Sequence, residues 1–387
     1  MRRDLVRSAL LVTAAVASGW IGWSGHVLLL PAALAFPLLW SLAPSRLAAT
    51  SISAGYFLAA SRGLPLGVGA FYASDIWPGL LLWLVASAGF VAVHAALWSR
   101  KSAWRPVRYL AAAILMAVPP FGITGWAHPV TTAGVLFPGW GWLGLVAMTA
   151  GLMGLVSRNG PAVAIALSGL WSLSAITWDE PRLPDKWRGV DLELGQSLGR
   201  ESGRQRQQEL IARVRDAAGE GAGVVVLPES ALGFWTPTVE RLWMNALVDA
   251  QAIVIAGAAV IDANGYDNVL VAIDRAGGQI LYRERMPVPG SMWQPWRAWL
   301  GGSGGARADF FANPVVEVGR TRIAPLICYE QLVVWPVLQS MLHSPYVVVA
   351  VGNGWWTAGG SIVAIQRASA AAWARLFSIP LVLSFNT

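Results

Sequence analysis

Long apolar stretches separated by short, mostly basic loops fill the first 178 residues and constrain the fold more than any other feature. A helix needs about 20 mostly apolar residues to cross a bilayer. Seven candidate runs lie near 6–24, 26–43, 48–61, 77–98, 106–122, 135–157 and 161–178. The pattern predicts a polytopic α-helical membrane domain of about seven helices over residues 1–178.

The basic residues of this region predict its orientation. Residues 1–178 carry ten Arg or Lys and two Asp or Glu, and the basic residues precede the first run or follow it in alternate loops, from Arg2 to Arg158. By the positive-inside rule the N-terminus is cytoplasmic, and seven crossings put the chain after Trp178 on the periplasmic side of a bacterial inner membrane. Because the net charge of +7 comes from short clusters between apolar runs, it indicates membrane topology and not direct nucleic-acid binding.

The pattern changes after a linker at 179–187. Between 188 and 387, short apolar strand signals such as Gly223–Leu227 and Thr321–Ile327 alternate with helical periods, which predicts an α/β layered domain with buried sheets. The chain has a single cysteine, which excludes an internal disulfide framework. Its four histidines lie too far apart for a zinc site, so no metal or cofactor is predicted.

Two polar residues stand at the ends of apolar strands in this second region. Glu229 follows the string GVVVLP, and Cys328 follows IAPLI just before an expected helix. A helix N-terminus favours the thiolate, and a nearby carboxylate can accept the thiol proton. Each residue also has a structural reading, since Cys328 can be a buried core residue and Glu229 a helix cap.

Taken together, these strings resemble the nitrilase, or carbon–nitrogen hydrolase, superfamily. LPES around Glu229 resembles its glutamate motif, ICYE at 327–330 its nucleophile motif, and NGWW at 353–356 the segment that follows. The resemblance covers about residues 188–387 and implies an αββα sandwich with a Glu–Lys–Cys triad. The domain ends earlier than the family pattern and is expected to be shortened at its C-terminus.

A multi-span membrane domain joined to a nitrilase-like domain is similar to the apolipoprotein N-acyltransferases. The string MPVPGSMWQPW at 286–296 and the compact length also resemble a related family of plasmid conjugal-transfer proteins. The resemblance implies a membrane-bound thiol acyltransferase or amidase. Its expected partners are a membrane lipid or lipoprotein-like acyl donor or acceptor and other conjugation proteins.

The same resemblance assigns roles to individual residues. Glu229 would be the general base, Cys328 the nucleophile, and Glu330 a supporting carboxylate beside the thiol. The alternative for Glu330 is an acid in the first turn of a helix, favoured by the helix dipole. Residues expected to bind substrate are Tyr329, Asn353, Trp355, Trp356, Trp293 and Trp296. The last two lie in a segment, 286–300, whose three prolines predict an irregular arm.

The family lysine has no counterpart at its expected place. Gapless counting from Pro289 puts Glu284 there, between Arg283 and Arg285. Alternate side chains of an extended strand share a face, so either both arginines or Glu284 should face the thiol. We expect the arginines to face it, with Arg285 first, as replacement donors to an oxyanion; the other register would indicate a dead or altered site.

Two function classes therefore remain open. The first is an enzyme in which Cys328 attacks an acyl carbonyl with Glu229 as base. The second is a non-catalytic, nitrilase-fold membrane component of the conjugation or envelope machinery. The retained glutamate and cysteine favour the enzyme, and the missing lysine favours the second class.

Overall fold

A computed structural model describes residues 2–195, 203–357 and 359–387. Its α-helices in the described ranges are α1 (Arg2–Gly22), α2 (Ala35–Ser41), α3 (Arg46–Ala60), α4 (Leu64–Tyr72), α5 (Ile76–Leu97), α6 (Arg105–Ala117), α7 (Ala133–Leu136), α8 (Gly141–Leu155), α9 (Gly160–Ile176), α10 (Arg204–Gly219), α11 (Pro237–Ala246), α12 (Trp296–Trp299), α13 (Val334–Met341) and α14 (Ile362–Phe377). Its strands there are β1 (Trp187–Gly189), β2 (Val224–Val226), β3 (Ile253–Asp262), β4 (Gly265–Ile273), β5 (Gly278–Arg283), β6 (Val316–Val318), β7 (Thr321–Ile327), β8 (Val347–Asn353) and β9 (Leu381–Asn386).

The chain forms two compact units. The first comprises Met1–Pro181, Leu332–Trp335 and Gly359–Ser378. The second comprises Arg182–Gln331, Pro336–Ala358 and Ile379–Thr387. Helix α14, which the sequence reading included in the α/β domain, therefore groups with the helices of the first unit.

The first unit is helical wherever an apolar run was predicted, but two runs are interrupted. The run at 26–43 begins as a 3₁₀-helix, Val27–Leu34, that contains Pro31 and continues as α2. The run at 135–157 is broken between α7 and α8, where Pro138 and Gly139 stand. Proline lacks the amide hydrogen that a continuous helix needs, which explains why these runs are not single rods. Helix α4 was not predicted.

Two helical stretches, Arg3–Gly22 and Ile76–Leu97, have the length and apolar composition needed to cross a bilayer. Shorter apolar helical stretches occur at Val27–Ser41, Gly141–Leu155 and Gly160–Ile176. Large apolar side chains are exposed along α5, α8 and α9: Trp77, Leu81, Leu84, Leu143, Val146, Ile165, Leu173 and Ile176. The unit therefore presents a wide apolar surface on several helices.

The second unit contains two sheets. The first has the order β1-β2-β3-β4-β5, with β1, β2 and β3 parallel and the last two strands antiparallel to their neighbours. Its β3–β4 hairpin turns through Ala263 and Asn264, just before Gly265 begins β4. The second sheet has the order β6-β7-β8-β9, with β7, β8 and β9 parallel.

The two sheets pack face to face. The apolar side chains between them come from both sheets and include Val226, Ile255, Leu270, Ile323, Val349 and Val382. The other face of the first sheet packs against α10 and α11 through a second apolar cluster that includes Leu210, Val214, Trp243, Val225 and Val271. The layers α, β and β of the predicted sandwich are thus present in this unit.

Candidate active site

Three polar residues meet at the carboxyl ends of parallel strands. Glu229 follows β2, Cys328 directly follows β7, and Asn353 is the last residue of β8. Strand ends of this kind converge at one edge of layered α/β folds, where sites are commonly built. The structure brings these three residues to one edge of the second unit.

A close backbone approach fixes the turn that carries Glu229. The amide of Gly257 on β3 donates to the carbonyl oxygen of Pro228 at 3.1 Å. A Cβ atom on Gly257 would lie 2.4 Å from the Cα atom of Glu229, so only glycine fits there. Ser230, the next residue, has a φ of 60°, in the left-handed region that turns the chain sharply. The turn thus presents Glu229 at a defined position.

Cys328 lies at a sharp turn between β7 and a 3₁₀-helix, Cys328–Gln331. Its φ of 44° is in the left-handed region, which a non-glycine residue adopts only when its surroundings hold it there. The side chain is buried. Such a strand-to-helix turn is a common way to present a nucleophile at the edge of a sheet.

Glu229 lies beside the thiol. Its buried Oε1 atom accepts a hydrogen bond from Asn268 Nδ2 at 2.8 Å, and its Oε2 atom has no hydrogen-bond partner within the described residues. The carboxyl group lies close enough to the Cys328 side chain and the Asn353 backbone for both to lower its pKa. The pKa of Glu229 is raised to about 7, mainly by burial. The nearby charge of Glu330 also raises it, and the interactions with Asn268, Cys328 and the Asn353 backbone lower it. A carboxyl group with this pKa is half ionised at neutral pH and can act as a general base.

Glu284 lies in the same cluster. Its amide donates to the carbonyl oxygen of Asn268 at 2.9 Å, and Asn268 Nδ2 donates to Glu284 Oε2 at 2.9 Å. The side chain is fully buried, and within the described residues Oε1 has no hydrogen-bond partner. Burial raises the pKa of Glu284 well above its usual range, and the charges of Glu229 and Glu330 raise it further.

The two carboxyl groups cannot both be ionised at little cost. One amide nitrogen, Asn268 Nδ2, donates to Glu229 at 2.8 Å and to Glu284 at 2.9 Å, so the two accepting oxygens are less than about 6 Å apart. Two carboxylates that share a buried site repel each other, and one of them keeps its proton. The pair therefore holds at least one proton at neutral pH.

Glu330 serves the turn that carries Cys328. Its Oε2 atom accepts from the Ile327 amide at 2.8 Å, and its Oε1 atom accepts from the Arg285 amide at 2.7 Å and the Tyr282 hydroxyl at 2.6 Å. Burial raises the pKa of Glu330, and Arg285 and these donors oppose the rise. The expected supporting carboxylate is thus present, and it acts on the backbone next to the thiol.

Arg285 does not face the thiol, which contradicts the expectation that it replaces the lysine. The guanidinium is fully buried and lies 3.6 Å from Glu330 Oε1. Its five N–H groups have five acceptors: Tyr282 Oη, Pro336 O, Gln339 Oε1, Pro325 O and Ser340 Oγ. A side chain with every donor used has none left for an oxyanion at Cys328.

Arg283 also points elsewhere. Its Nη1 atom lies 3.3 Å from Asp267 Oδ2, and its side chain is 38% exposed. Strand β5 ends at Arg283, so the alternation of side chains that paired the two arginines on one face stops there. Beyond the end of the strand, the Glu284 carboxyl group is the one that Asn268 joins to Glu229.

The residues expected to bind substrate fall into two groups. Tyr329 is buried in the 3₁₀-helix of the nucleophile turn, and Asn353 Oδ1 accepts from Asn386 Nδ2 at 2.8 Å. Trp355 and Trp356 lie in a 3₁₀-helix just after β8, and Trp356 Nε1 donates to Asn353 O at 2.9 Å. Tyr329 is therefore the neighbour of Cys328 in the chain, and the other three residues lie at or just after the end of β8.

The two other tryptophans lie in the proline-rich arm. Apart from the short helix α12, the arm is irregular, as its prolines predict. Trp293 packs edge to face on Phe310, with ring centroids 5.4 Å apart, and Trp296 is exposed. Neither of these observations connects them to Cys328.

Sequence reasoning missed Asn268 and Tyr282. Asn268 is buried in β4 directly before the apolar run Val269–Ile273, and an amide at that place was the available signal. Tyr282 gave no such signal, because a tyrosine in a strand is ordinary. In the described residues no group of three or more His, Cys, Asp and Glu side chains is arranged to hold a metal ion.

The arrangement can be compared with known families. The model of the carbon-nitrogen hydrolase family matches residues 58–375. The chain belongs to the carbon-nitrogen hydrolase family. This match starts inside the helical region, whereas the resemblance in the sequence strings began at residue 188.

Two curated relatives cover the whole chain. One is "Probable conjugal transfer protein TraB" of Sinorhizobium fredii, 68% identical over 100% of both chains. The other is "Conjugal transfer protein TraB" of Agrobacterium fabrum, 62% identical over 100% of this chain and 94% of that protein. Among solved structures, an amidase from Nesterenkonia sp. aligns with a TM-score of 0.35 and 11% identity over 52% of this chain and 74% of its own.

The buried ion pair gives a first prediction. Replacing Arg285 with Met leaves Glu330 buried without its cation, and such a loss costs roughly 3–5 kcal/mol. The matched control is Arg283→Met, which removes a partly exposed ion pair with an expected cost of about 0–1 kcal/mol. Thermal denaturation of the purified variants measures both, and equal effects at the two arginines would contradict the assignment.

The raised pKa of Glu284 gives a second prediction. Its preference for the protonated form stabilises the fold fully below the unfolded pKa of about 4.3, and this contribution is lost as pH rises towards the folded pKa. Glu284→Gln cannot ionise, so its melting temperature relative to the wild type should rise from acid to neutral pH. Glu317→Gln, at an exposed position of β6, should show no such trend. A pH-independent difference for Glu284→Gln would contradict burial of a neutral acid.

Proposed function

We propose that the chain is a thiol-dependent enzyme of the amidase or N-acyltransferase type, with Cys328 as nucleophile and Glu229 as general base. The observation that carries the proposal is the placement of the buried Glu229 carboxyl group beside the Cys328 side chain, where the strands β2 and β7 end. A base must lie within hydrogen-bond reach of the proton it removes. The raised pKa of Glu229, to about 7, suits proton transfer at neutral pH.

The chemistry follows from this placement. Glu229 accepts the thiol proton, and the Cys328 sulfur forms a bond to the acyl carbonyl carbon of the substrate. The carbonyl electrons move to oxygen as an oxyanion, which collapses and expels the leaving group with the proton from Glu229. The resulting thioester is resolved by water in an amidase or by an amine in an N-acyltransferase.

The apolar helices support a membrane location. Contiguous apolar surfaces larger than a few hundred Å² are rare on soluble monomers, and α5, α8 and α9 all expose large apolar side chains. With the domain boundaries taken from the sequence, residues 1–178 span the inner membrane several times. Residues 188–387, after the linker, lie on the periplasmic side. The proposed acyl donor or acceptor is then a membrane lipid or a lipoprotein-like molecule.

The names of the relatives support a role in plasmid conjugal transfer, with other conjugation proteins as partners. A second candidate is a non-catalytic nitrilase-fold component of that machinery. The observation that favours it is the acid, Glu284, at the position where the family has lysine, together with the full engagement of Arg285 elsewhere. Acyl-enzyme formation separates the two candidates.

The catalytic proposal predicts a covalent intermediate. Incubation with acyl-labelled phospholipid in detergent should place a hydroxylamine-sensitive label on Cys328, and Cys328→Ser should remove the hydroxylamine-sensitive label. Glu229→Gln should lower the labelling rate by about 10²–10⁴, the usual contribution of a general base. In the wild type the rate should rise with pH as Glu229 ionises, through about 7.

The outcome against the proposal is equally defined. Labelling that persists unchanged in Cys328→Ser, or a wild type that takes up no label, favours the non-catalytic component. Glu317→Gln serves as a matched carboxyl-to-amide control outside the site and should label as the wild type does.

The proposed topology predicts where reporters work. A reporter that is active only after export should be active when fused after Asp185, because the charge pattern puts that residue outside the cytoplasm. The same reporter fused after Lys101, in a basic loop, should be inactive. Activity only at Lys101 would reverse the orientation.

A further inference from the structure

The site contains more acids than cations. Glu229, Glu284 and Glu330 are buried together, and the guanidinium buried among them, Arg285, is paired with Glu330. Glu229 and Glu284 share the side-chain nitrogen of Asn268. Once Arg285 is paired with Glu330, no buried cation remains for Glu229 and Glu284 among these groups. A neutral amide binds both of their carboxyl groups.

We propose that Glu284 is a catalytic residue that keeps its proton and donates a hydrogen bond from its neutral carboxyl group to the oxyanion formed at Cys328. This inference rests on the proposed function, since it requires a thiol that attacks an acyl carbonyl. In this inference an acid, Glu284, takes the place of the missing lysine. Glu229 is the general base, and Glu284 is the hydrogen-bond donor to the oxyanion.

The hydrogen-bond pattern indicates which oxygen carries the proton. Asn268 Nδ2 donates to Glu284 Oε2, so that oxygen is an acceptor. The other oxygen, Oε1, is buried and has no hydrogen-bond partner among the described residues. If Oε1 carries the proton, it is a hydrogen-bond donor without an acceptor in the described part of the protein. A substrate oxygen would become that acceptor, and binding it would remove the cost of leaving the buried donor unpaired.

The division of labour between the two acids follows from their contacts. Glu229 is the acid that lies beside the Cys328 side chain, and it must be ionised to accept the thiol proton. The negative charge on Glu229 favours the protonated form of Glu284 next to it. An ionised Glu284 would repel the developing oxyanion, whereas a neutral carboxylic acid in an apolar site donates to it, a use known from other enzymes.

The proposed step balances without another reactant. The S–H bond of Cys328 breaks, its proton goes to Glu229, and the sulfur–carbon bond forms while the carbonyl π pair moves to oxygen. The proton of Glu284 stays on its Oε1 atom and is shared with that oxyanion. When the oxyanion collapses, the leaving group departs with the proton held by Glu229, and Glu284 is unchanged.

The experiment measures acylation of the full-length protein in detergent by p-nitrophenyl butyrate, followed as the burst of nitrophenol and as butyryl mass on Cys328. Glu284→Gln keeps an N–H donor at the same reach, and we expect it to acylate within about tenfold of the wild type. Glu284→Leu keeps the size but removes the donor, and we expect a rate about 10²–10³ lower. Glu317→Gln should match the wild type.

The pH profile provides a readout that a structural role would not change. The wild-type rate should fall at alkaline pH as Glu284 ionises, and Glu284→Gln, which cannot ionise, should lose that fall. This profile remains informative even where the leucine variant does not fold, which its thermal transition would reveal.

The outcomes separate this inference from the proposed function. Wild-type acylation of Cys328 together with an unchanged rate in folded Glu284→Leu overturns the role of Glu284 alone. The role of Glu284 is also overturned if the alkaline fall in rate persists in Glu284→Gln. It is overturned likewise if Glu284→Gln acylates as slowly as Glu284→Leu. Absence of butyryl-Cys328 in the wild type overturns both the inference and the proposed function.

Discussion

The shared hydrogen bonding of two buried carboxyl groups to Asn268 is the interaction on which the rest of the site depends. Two carboxylates at that separation in a buried place repel each other, so the pair holds at least one proton. Burial raises the pKa of Glu229 to about 7 and that of Glu284 well above its usual range, and the charge of Glu229 adds to the rise at Glu284. The sheet supplies the geometry, because Asn268 on β4 reaches both Glu229, which follows β2, and Glu284, which follows β5.

A separate ion pair supports the nucleophile. Glu330 and Arg285 neutralise each other in a buried network, and Glu330 also holds the amide of Ile327, the residue before Cys328. The left-handed backbone at Cys328 is a strained conformation that needs such support. The cation of this site is thus used for structure, and the chemistry is left to the acids and the thiol.

Much of this organisation could be predicted from sequence. The strand-end positions of Glu229 and Cys328 follow from short apolar runs that end in a polar residue, and the resemblance to the carbon-nitrogen hydrolases gave the family. The orientation of Glu284 and Arg285 could not be predicted, because it depends on where β5 ends and on acceptors such as Gln339 in distant segments. The role of Asn268 depends on sheet register, which a single sequence does not specify.

The protonation state of Glu284 at neutral pH tests the central claim most directly. Infrared difference spectra between the wild type and Glu284→Gln, both carrying ¹³C-carboxyl glutamate, isolate the signal of this one side chain. A neutral Glu284 predicts the carbonyl-stretching band of a protonated carboxylic acid in the wild type, absent from the variant. A Glu284 signal found only as the carboxylate bands at neutral pH would contradict the account.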